Sequence, residues 1–277
     1  MLASVTFSEK EISLISNIMK DNVGIDLSDF KIPFISRRIN ARMQLKGIRE
    51  GSEYARLLDE DPLEPLNLYN SLSINVTKCF RDPNVWKTFR ANILPSMIQK
   101  ISTNGTIRVW SAGCATGQEP YSLAIMLNEA IGAKKIHFKI TSTDMNRVSI
   151  SIAETGKYDP KSLSNIPAEL FPKYFQKLDD ELYQVRDVLK QNVDFIVGDV
   201  SSVDIDSMDL IVCRNLLIYY SRDAQELLFK KFHKSLKKDG HLILGMDESM
   251  LGTIGTNLFL PLYPRERIYI KAKEDSP

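Results

Sequence analysis

The sequence has little of what metal and redox chemistry depend on. Its three cysteines, Cys79, Cys114 and Cys213, are odd in number and far apart, which fits neither a zinc site nor a disulfide framework. They read as reduced thiols. The three histidines, His137, His233 and His241, do not cluster with cysteines or carboxylates, so neither a metal centre nor a Ser-His-Asp arrangement finds support. No apolar run approaches the ~20 residues of a membrane helix, and the N-terminal stretch lacks the basic-then-apolar order of a signal peptide. A cytoplasmic protein without direct membrane insertion is expected. Charge of one sign is also missing: 36 Lys and Arg against 35 Asp and Glu leave +1, which gives no global field to recruit nucleic acid or an anionic surface. Electrostatic recognition must be local.

What is present is a chain of 277 residues, 43% hydrophobic and 26% charged, able to bury a core and long enough for about two domains. Residues 6–72 read as short helices. Thr6-Phe7-Ser8-Glu9 fits a capping box for a first helix that Gly24 ends, and a second helix is expected over about 29–46 with Gly47 as its stop. Asp82-Pro83 supplies a cap and an N1 proline for a helix running through Pro95. From residue 106 strands and helices alternate: apolar runs at 106–111, 136–142, 193–197, 208–213 and 241–246 are separated in places by helical runs at about 119–131, 146–155 and 222–238. This predicts a doubly wound α/β sheet at 76–277 behind a helical domain at 1–75, with a closing hairpin that includes Arg267-Ile268-Tyr269-Ile270.

The chemistry gathers where strands end. In Val109-Trp110-Ser111-Ala112-Gly113-Cys114-Ala115-Thr116-Gly117-Gln118-Glu119-Pro120, small residues join a strand to a helix, where glycine lets backbone approach a ligand. Glu119 would repel a pyrophosphate but could hold the ammonium of an amino-acid-like ligand. Taken alone, the run also fits a plain tight turn. Asp144 closes the next strand, where an acid can accept ribose hydroxyls, and Asp199 follows a third, where an adenine amino group could find an acceptor. Singly, Asp144 is better explained as a solvated strand-end acid, and Asp199 also fits a turn or helix cap. Three acidic strand ends together point to a nucleoside, because open α/β sheets bind ligands at that edge. Arg214-Asn215 after the fourth strand, with Tyr219 beyond it, adds a fork donor and a phenol.

Four motifs in order, Asn75-x-Thr77-x-x-Phe80-Arg81, Gly113 to Ser122, Thr143-Asp144-Met145-Asn146 and Cys213-Arg214-Asn215-Leu216-Leu217-Ile218-Tyr219, resemble the CheR family of chemotaxis methyltransferases over essentially the whole chain. The resemblance implies a Rossmann-like methyltransferase domain behind an all-helical N-terminal domain, with a small β-subdomain at about 170–190. It implies methyl transfer from S-adenosylmethionine to glutamate side chains of chemoreceptors, leaving methyl esters and S-adenosylhomocysteine, with no metal. Asn75, Thr77, Arg81, Gly113, Glu119, Asp144, Asp199, Val200, Arg214 and Asn215 then correspond to cofactor-contacting positions, and Arg81 and Tyr219 to residues that orient the substrate carboxylate. Many relatives grip a C-terminal receptor pentapeptide with a glycine-containing loop. The equivalent stretch here, Tyr174 to Arg186, has no glycine, so no such tether is expected.

Charge placement adds a partner surface. Residues 31–49 hold six basic and no acidic residues, although residues 1–75 hold nine basic and eleven acidic. At 100° per residue, Lys31, Arg38, Arg42, Lys46 and Arg49 fall within an arc of about 80°, with Ile35 intruding and Ile32, Ile39 and Met43 beside it as the expected buried stripe. This stripe is assigned to the acidic helical bundle of a receptor; the alternative is a solvated face. Two other functions compete: a cofactor-binding sensory or scaffolding module without turnover, and a nicotinamide-dependent oxidoreductase, against which Glu119-Pro120 in the phosphate turn argues.

Overall fold

The structure, a computed structural model, describes residues 7–73 and 77–273. The chain divides into two units, one of residues 1–74 with 219–225 and the other of residues 75–218 with 226–277.

In the first unit, α1 (Glu9–Val23) carries a capping box formed by Ser8 and Glu11, and Gly24 ends it at φ 71°. The cap is Ser8 rather than Thr6, which lies outside the described residues. After a 3₁₀ turn at Leu27–Asp29, α2 (Ile32–Lys46) starts later than expected. Pro33 suits only the first helical turn, so Lys31 becomes the extended N-cap. The buried face of α2 is also rotated from the expected one: Phe34, Ile35, Ile39 and Met43 are buried, whereas Ile32 is 56% exposed. Ile35, the residue that intruded on the basic arc, is a core residue at i, i+4, i+8 with Ile39 and Met43. The α3 (Gly51–Glu60) and α4 (Glu64–Leu72) helices add Tyr54, Leu58, Leu68 and Leu72 to the same core. Residues 219–225 join this unit through the Tyr219 carbonyl, which accepts from the Lys31 N–H at 2.9 Å, and through the Ser221 N–H, which donates to the Asp29 carbonyl at 2.7 Å. The Tyr220 ring lies 4.8 Å from Phe30.

The second unit opens with α5 (Pro83–Thr88), a π-helical turn at Phe89–Ile93 and α6 (Leu94–Lys100). One continuous helix was expected. Pro95 has no N–H to return to an earlier carbonyl, and the ladder widens before it, with the Leu94 N–H reaching the Phe89 carbonyl. Then follow β1 (Thr106–Ala112), α7 (Gln118–Ile131), β2 (His137–Asp144), α8 (Arg147–Thr155), β3 (Lys157–Tyr158), α9 (Phe171–Tyr174), β4 (Phe175–Lys177), β5 (Tyr183–Val185), α10 (Asp187–Lys190), β6 (Val193–Val197), β7 (Met208–Cys213), α11 (Arg222–Ser235, its first turn in the other unit), β8 (Leu236–Leu244), α12 (Gly255–Leu258), β9 (Phe259–Tyr263) and β10 (Ile268–Lys271). The main sheet has the order β6-β2-β1-β7-β8-β10-β9. It is parallel from β6 to β8 and antiparallel where β10 meets β8 and β9. The expected doubly wound sheet and closing hairpin are therefore present. Continuous apolar strands such as Leu210-Ile211-Val212 are fully buried, as strands covered on both faces must be.

A second, three-stranded antiparallel sheet, β3-β5-β4, begins at residue 157 rather than about 170. Its β4–β5 turn closes without glycine because the Asp179 carboxylate accepts from the N–H groups of Glu181 and Leu182, at 2.8 and 2.7 Å.

Candidate functional site

Strand β1 has β2 on one side and β7 on the other, so the strand order turns there, and open α/β sheets bind ligands at the carboxyl ends of such strands. The turn from β1 to α7 holds Gly113 at φ 78°, Ala115 at φ 46° and Gly117 at φ 94°. A Cβ on Gly113 would stand 2.9 Å from Leu216, and one on Gly117 would stand 2.7 Å from the Tyr158 hydroxyl, so both glycines are required by space as well as by φ. Ala115 has no such freedom. Its left-handed backbone is held by a hydrogen bond from its N–H to Asp144 Oδ2 at 2.8 Å.

Asp144 ends β2 as a buried carboxylate whose other oxygen, Oδ1, accepts from the Asn146 N–H at 2.9 Å. Asn146 caps α8 in turn, accepting from the Ser149 N–H at 2.9 Å. One acid thus ties the β1–α7 turn to the start of α8. Asp199, beyond β6, caps its own turn by accepting from the Ser201 N–H at 2.7 Å; it is half-buried, and Val200 beside it is buried.

Glu119, in the first turn of α7, accepts from Ser111 Oγ at 2.8 Å, and its other oxygen lies 3.5 Å from Arg214 Nη1. Burial pushes the Glu119 carboxyl up to about 7, against the pull of Arg214 and Ser111. The Arg214 guanidinium, after β7, is engaged by protein through both terminal nitrogens. It pairs with Asp82, donates to the Arg81 carbonyl at 3.1 Å and lies 5.2 Å over the Trp86 ring, whose Nε1 donates to that same carbonyl at 2.7 Å. Its Nε is buried without a partner. Asp82 was expected to cap α5. At φ 57° it makes no cap bond and gives its carboxylate to Arg214 instead. Phe80 and Asp82, both at positive φ, bracket Arg81, so the half-buried Arg81 sits in a strained segment anchored by Arg214. Thr77 is half-buried, and Asn75 lies outside the described residues. Asn215 holds φ 60°.

Within the helical unit, Tyr219 is half-buried with its ring 4.7 Å from Phe34, and the Arg38 guanidinium lies 5.3 Å over the other partner of that stack, Phe34. Arg38 Nε is buried without a hydrogen-bond partner. Two of the five stripe cations are committed elsewhere. Arg42 makes a two-pronged bond to Glu64, Nε to Oε1 at 2.8 Å and Nη2 to Oε2 at 2.6 Å, while Lys46 lies 3.3 Å from the same carboxylate. Glu64 is fully buried and also accepts from the Tyr54 hydroxyl at 2.9 Å. Burial raises its carboxyl, but Arg42, Tyr54 and Lys46 outweigh this and hold it below the usual range. These cations join α2 to α4; in the rest of the stripe Lys31 and Arg49 are exposed and Arg38 is half-buried against Phe34.

Asp82, Trp86, Ser111 and Glu248 enter the site without having been assigned to it from the sequence. Glu248 follows β8, and the rule that picked out Asp144, an acid just past an apolar strand, would have found it. Asp82 was hidden by a local capping motif whose residue was drawn away over a long sequence distance. The described residues hold no group of His, Cys, Asp and Glu able to bind a metal ion, and no helix long and apolar enough to cross a membrane.

Residues 75–259 match the family described as CheR methyltransferase, SAM binding domain, and residues 10–73 match CheR methyltransferase, all-alpha domain. A chemotaxis protein methyltransferase of Borreliella burgdorferi is 32% identical over 93% of this chain and 94% of its own. Those of Listeria innocua (30%, covering 88% and 91%) and Escherichia coli K12 (28%, covering 90% and 87%) are similar along comparable lengths.

Proposed function

The chain belongs to the CheR methyltransferase family, and from that premise we propose that it esterifies glutamate side chains of chemoreceptors with methyl from S-adenosylmethionine. It is a chemotaxis methyltransferase that uses S-adenosylmethionine. The observation that carries the reading is the pair of carboxylates, buried Asp144 at the end of β2 and half-buried Glu119 in the first turn of α7, beside a turn that admits no side chain at Gly113 or Gly117.

That donor set fits the cofactor. The group supplies, when bound, an electrophilic methyl on a sulfonium. Glu119 offers a carboxylate to an ammonium, Asp144 offers lone pairs to ribose hydroxyls, and the Gly113–Gly117 turn lets backbone approach. Asn75, Thr77, Arg81, Asp199, Val200, Arg214 and Asn215 complete the proposed contacts. Since both terminal nitrogens of Arg214 are held by Asp82, the Arg81 carbonyl and Glu119, its part is to hold the Arg81 segment and orient Glu119. Acids outnumber bases around it, which suits a cofactor that carries one more positive charge than its product.

A glutamate carboxylate with pKa ~4.3 is ionised at neutral pH, so its attack on a methyl carbon needs no general base. The oxygen gains the methyl, and the sulfur keeps the bonding pair. Arg81 and Tyr219 orient that carboxylate, and alignment with exclusion of water supplies the rate. Arg81 must not pair too tightly, because ground-state stabilisation would blunt the nucleophile. Lys31, Arg38 and Arg49 steer the acidic helical bundle that presents the glutamate. The Asx-type turn at Asp179 supports a subgroup that does not hold a receptor pentapeptide. Incubation with methyl-labelled S-adenosylmethionine and a receptor cytoplasmic domain tests the reading. Cofactor binding without transfer would indicate a sensory module, and nicotinamide binding an oxidoreductase.

A further inference from the structure

Glu248 has no part in the chemistry above, yet few groups in the second unit are more tightly engaged. It is 2% exposed and stands just beyond β8, next to the strand that ends at Cys213. Its Oε1 accepts from the N–H groups of Leu216 and Leu217, at 2.8 and 2.7 Å, and its Oε2 accepts from the Gly245 N–H. Burial raises its carboxyl above the usual range, and the amides of Gly245, Asn215, Leu216 and Leu217 oppose that rise without cancelling it. A carboxylate taken from water this completely needs such a set of partners, and here every one is main chain.

The amides it holds belong to the turn that follows β7. Asn215 in that turn stands at φ 60°, a left-handed conformation that asparagine adopts more readily than other non-glycine residues. Glu248 fixes that turn from the carboxyl side through Leu216 and Leu217. From the other side, a Cβ on Gly245 would stand 2.7 Å from the Asn215 N and 2.7 Å from Glu248 Oε2, so Gly245 leaves the gap into which turn and carboxylate fit. Leu216 also fills the space under Gly113. The clamp therefore reaches both the Arg214-Asn215 turn and the β1–α7 turn.

We infer that Glu248 is a positioning residue of the cofactor site: its carboxylate holds the turn after β7 so that Asn215 faces the cofactor. The inference rests on the cofactor reading given above. Glu248→Gln keeps the shape but replaces one acceptor oxygen with an amino group that meets a backbone N–H. Titration calorimetry with S-adenosylhomocysteine should show the variant binding tenfold or more weakly. The KM for S-adenosylmethionine should rise in parallel, with kcat at saturation within about threefold of wild type. On an Asn215→Ala background the same change should cost under threefold, because the turn it would hold has already lost its ligand-facing amide. Glu248→Asp, which keeps the charge and shortens the reach, should fall between wild type and Glu248→Gln. Wild-type affinity in Glu248→Gln, or a full tenfold loss repeated on the Asn215→Ala background, overturns the clamp. Wild-type protein that binds no S-adenosylhomocysteine overturns the cofactor reading itself.

Discussion

Replacing Asp144 with Asn is the sharpest probe of how the second strand end works. Each carboxylate oxygen accepts one backbone N–H, from Ala115 at 2.8 Å and Asn146 at 2.9 Å, so the side chain braces two turns before any ligand arrives. Asn keeps the volume and one acceptor, but turns an NH2 toward the second N–H. Hydrogen bonds to a charged group contribute ~1.5–3 kcal/mol, so losing one should lower stability by about that much. If a ribose hydroxyl depends on the same charge, affinity should drop by a similar amount, about 10- to 100-fold. Thermal unfolding measures the first effect and titration with S-adenosylhomocysteine on folded protein the second. A destabilised Asp144→Asn that binds S-adenosylhomocysteine with wild-type affinity would refute the ribose assignment and leave Asp144 a structural brace.

Three further outcomes follow from other groups. Glu119 in the free protein sits at about 7, and an ammonium beside it would favour its ionised form; S-adenosylhomocysteine affinity should therefore be full above that pH and weaken as pH falls through it, approaching about tenfold per unit, whereas Glu119→Gln should bind weakly with that dependence gone. Arg42→Ala should destabilise the protein by about 1–3 kcal/mol, less than the ~3–5 of a fully buried pair because Lys46 still faces Glu64, while Arg49→Glu, at an exposed position, should leave stability nearly unchanged and slow receptor methylation at low salt; equal melting behaviour of the two would contradict the division of the stripe. Arg81→Ala and Tyr219→Phe should fold normally and lose turnover in a methylation assay, Arg81→Ala more severely, and wild-type rates in both would remove them from the substrate's side of the reaction.

The parts of this molecule written locally were readable in the sequence. A strand running into Gly113-Cys114-Ala115-Thr116-Gly117 and then a helix states its own turn, and the apolar runs at 193–197 and 208–213 coincide with β6 and β7. What escaped depends on partners far along the chain. Arg42 looked like part of an open stripe until Glu64, 22 residues away, came under it. Asp82 looked like a helix cap until Arg214, 132 residues away, claimed its carboxylate. The face of α2 was misjudged because the pattern 32, 39, 43 and the pattern 35, 39, 43 are both helical, and only packing chooses between them. Pro95 was a legible breaker whose effect, a π turn before it rather than a stop, was not.

The central claim is transfer of a methyl group onto a carboxylate oxygen. Wild-type protein should be incubated with methyl-tritiated S-adenosylmethionine and the cytoplasmic domain of a chemoreceptor, and the receptor then treated with mild base. An ester releases its label as volatile methanol, and the account predicts that nearly all receptor-bound tritium will leave in that form. Label that stays on the receptor through base treatment, or a receptor that takes up none while the protein binds the cofactor, would contradict it.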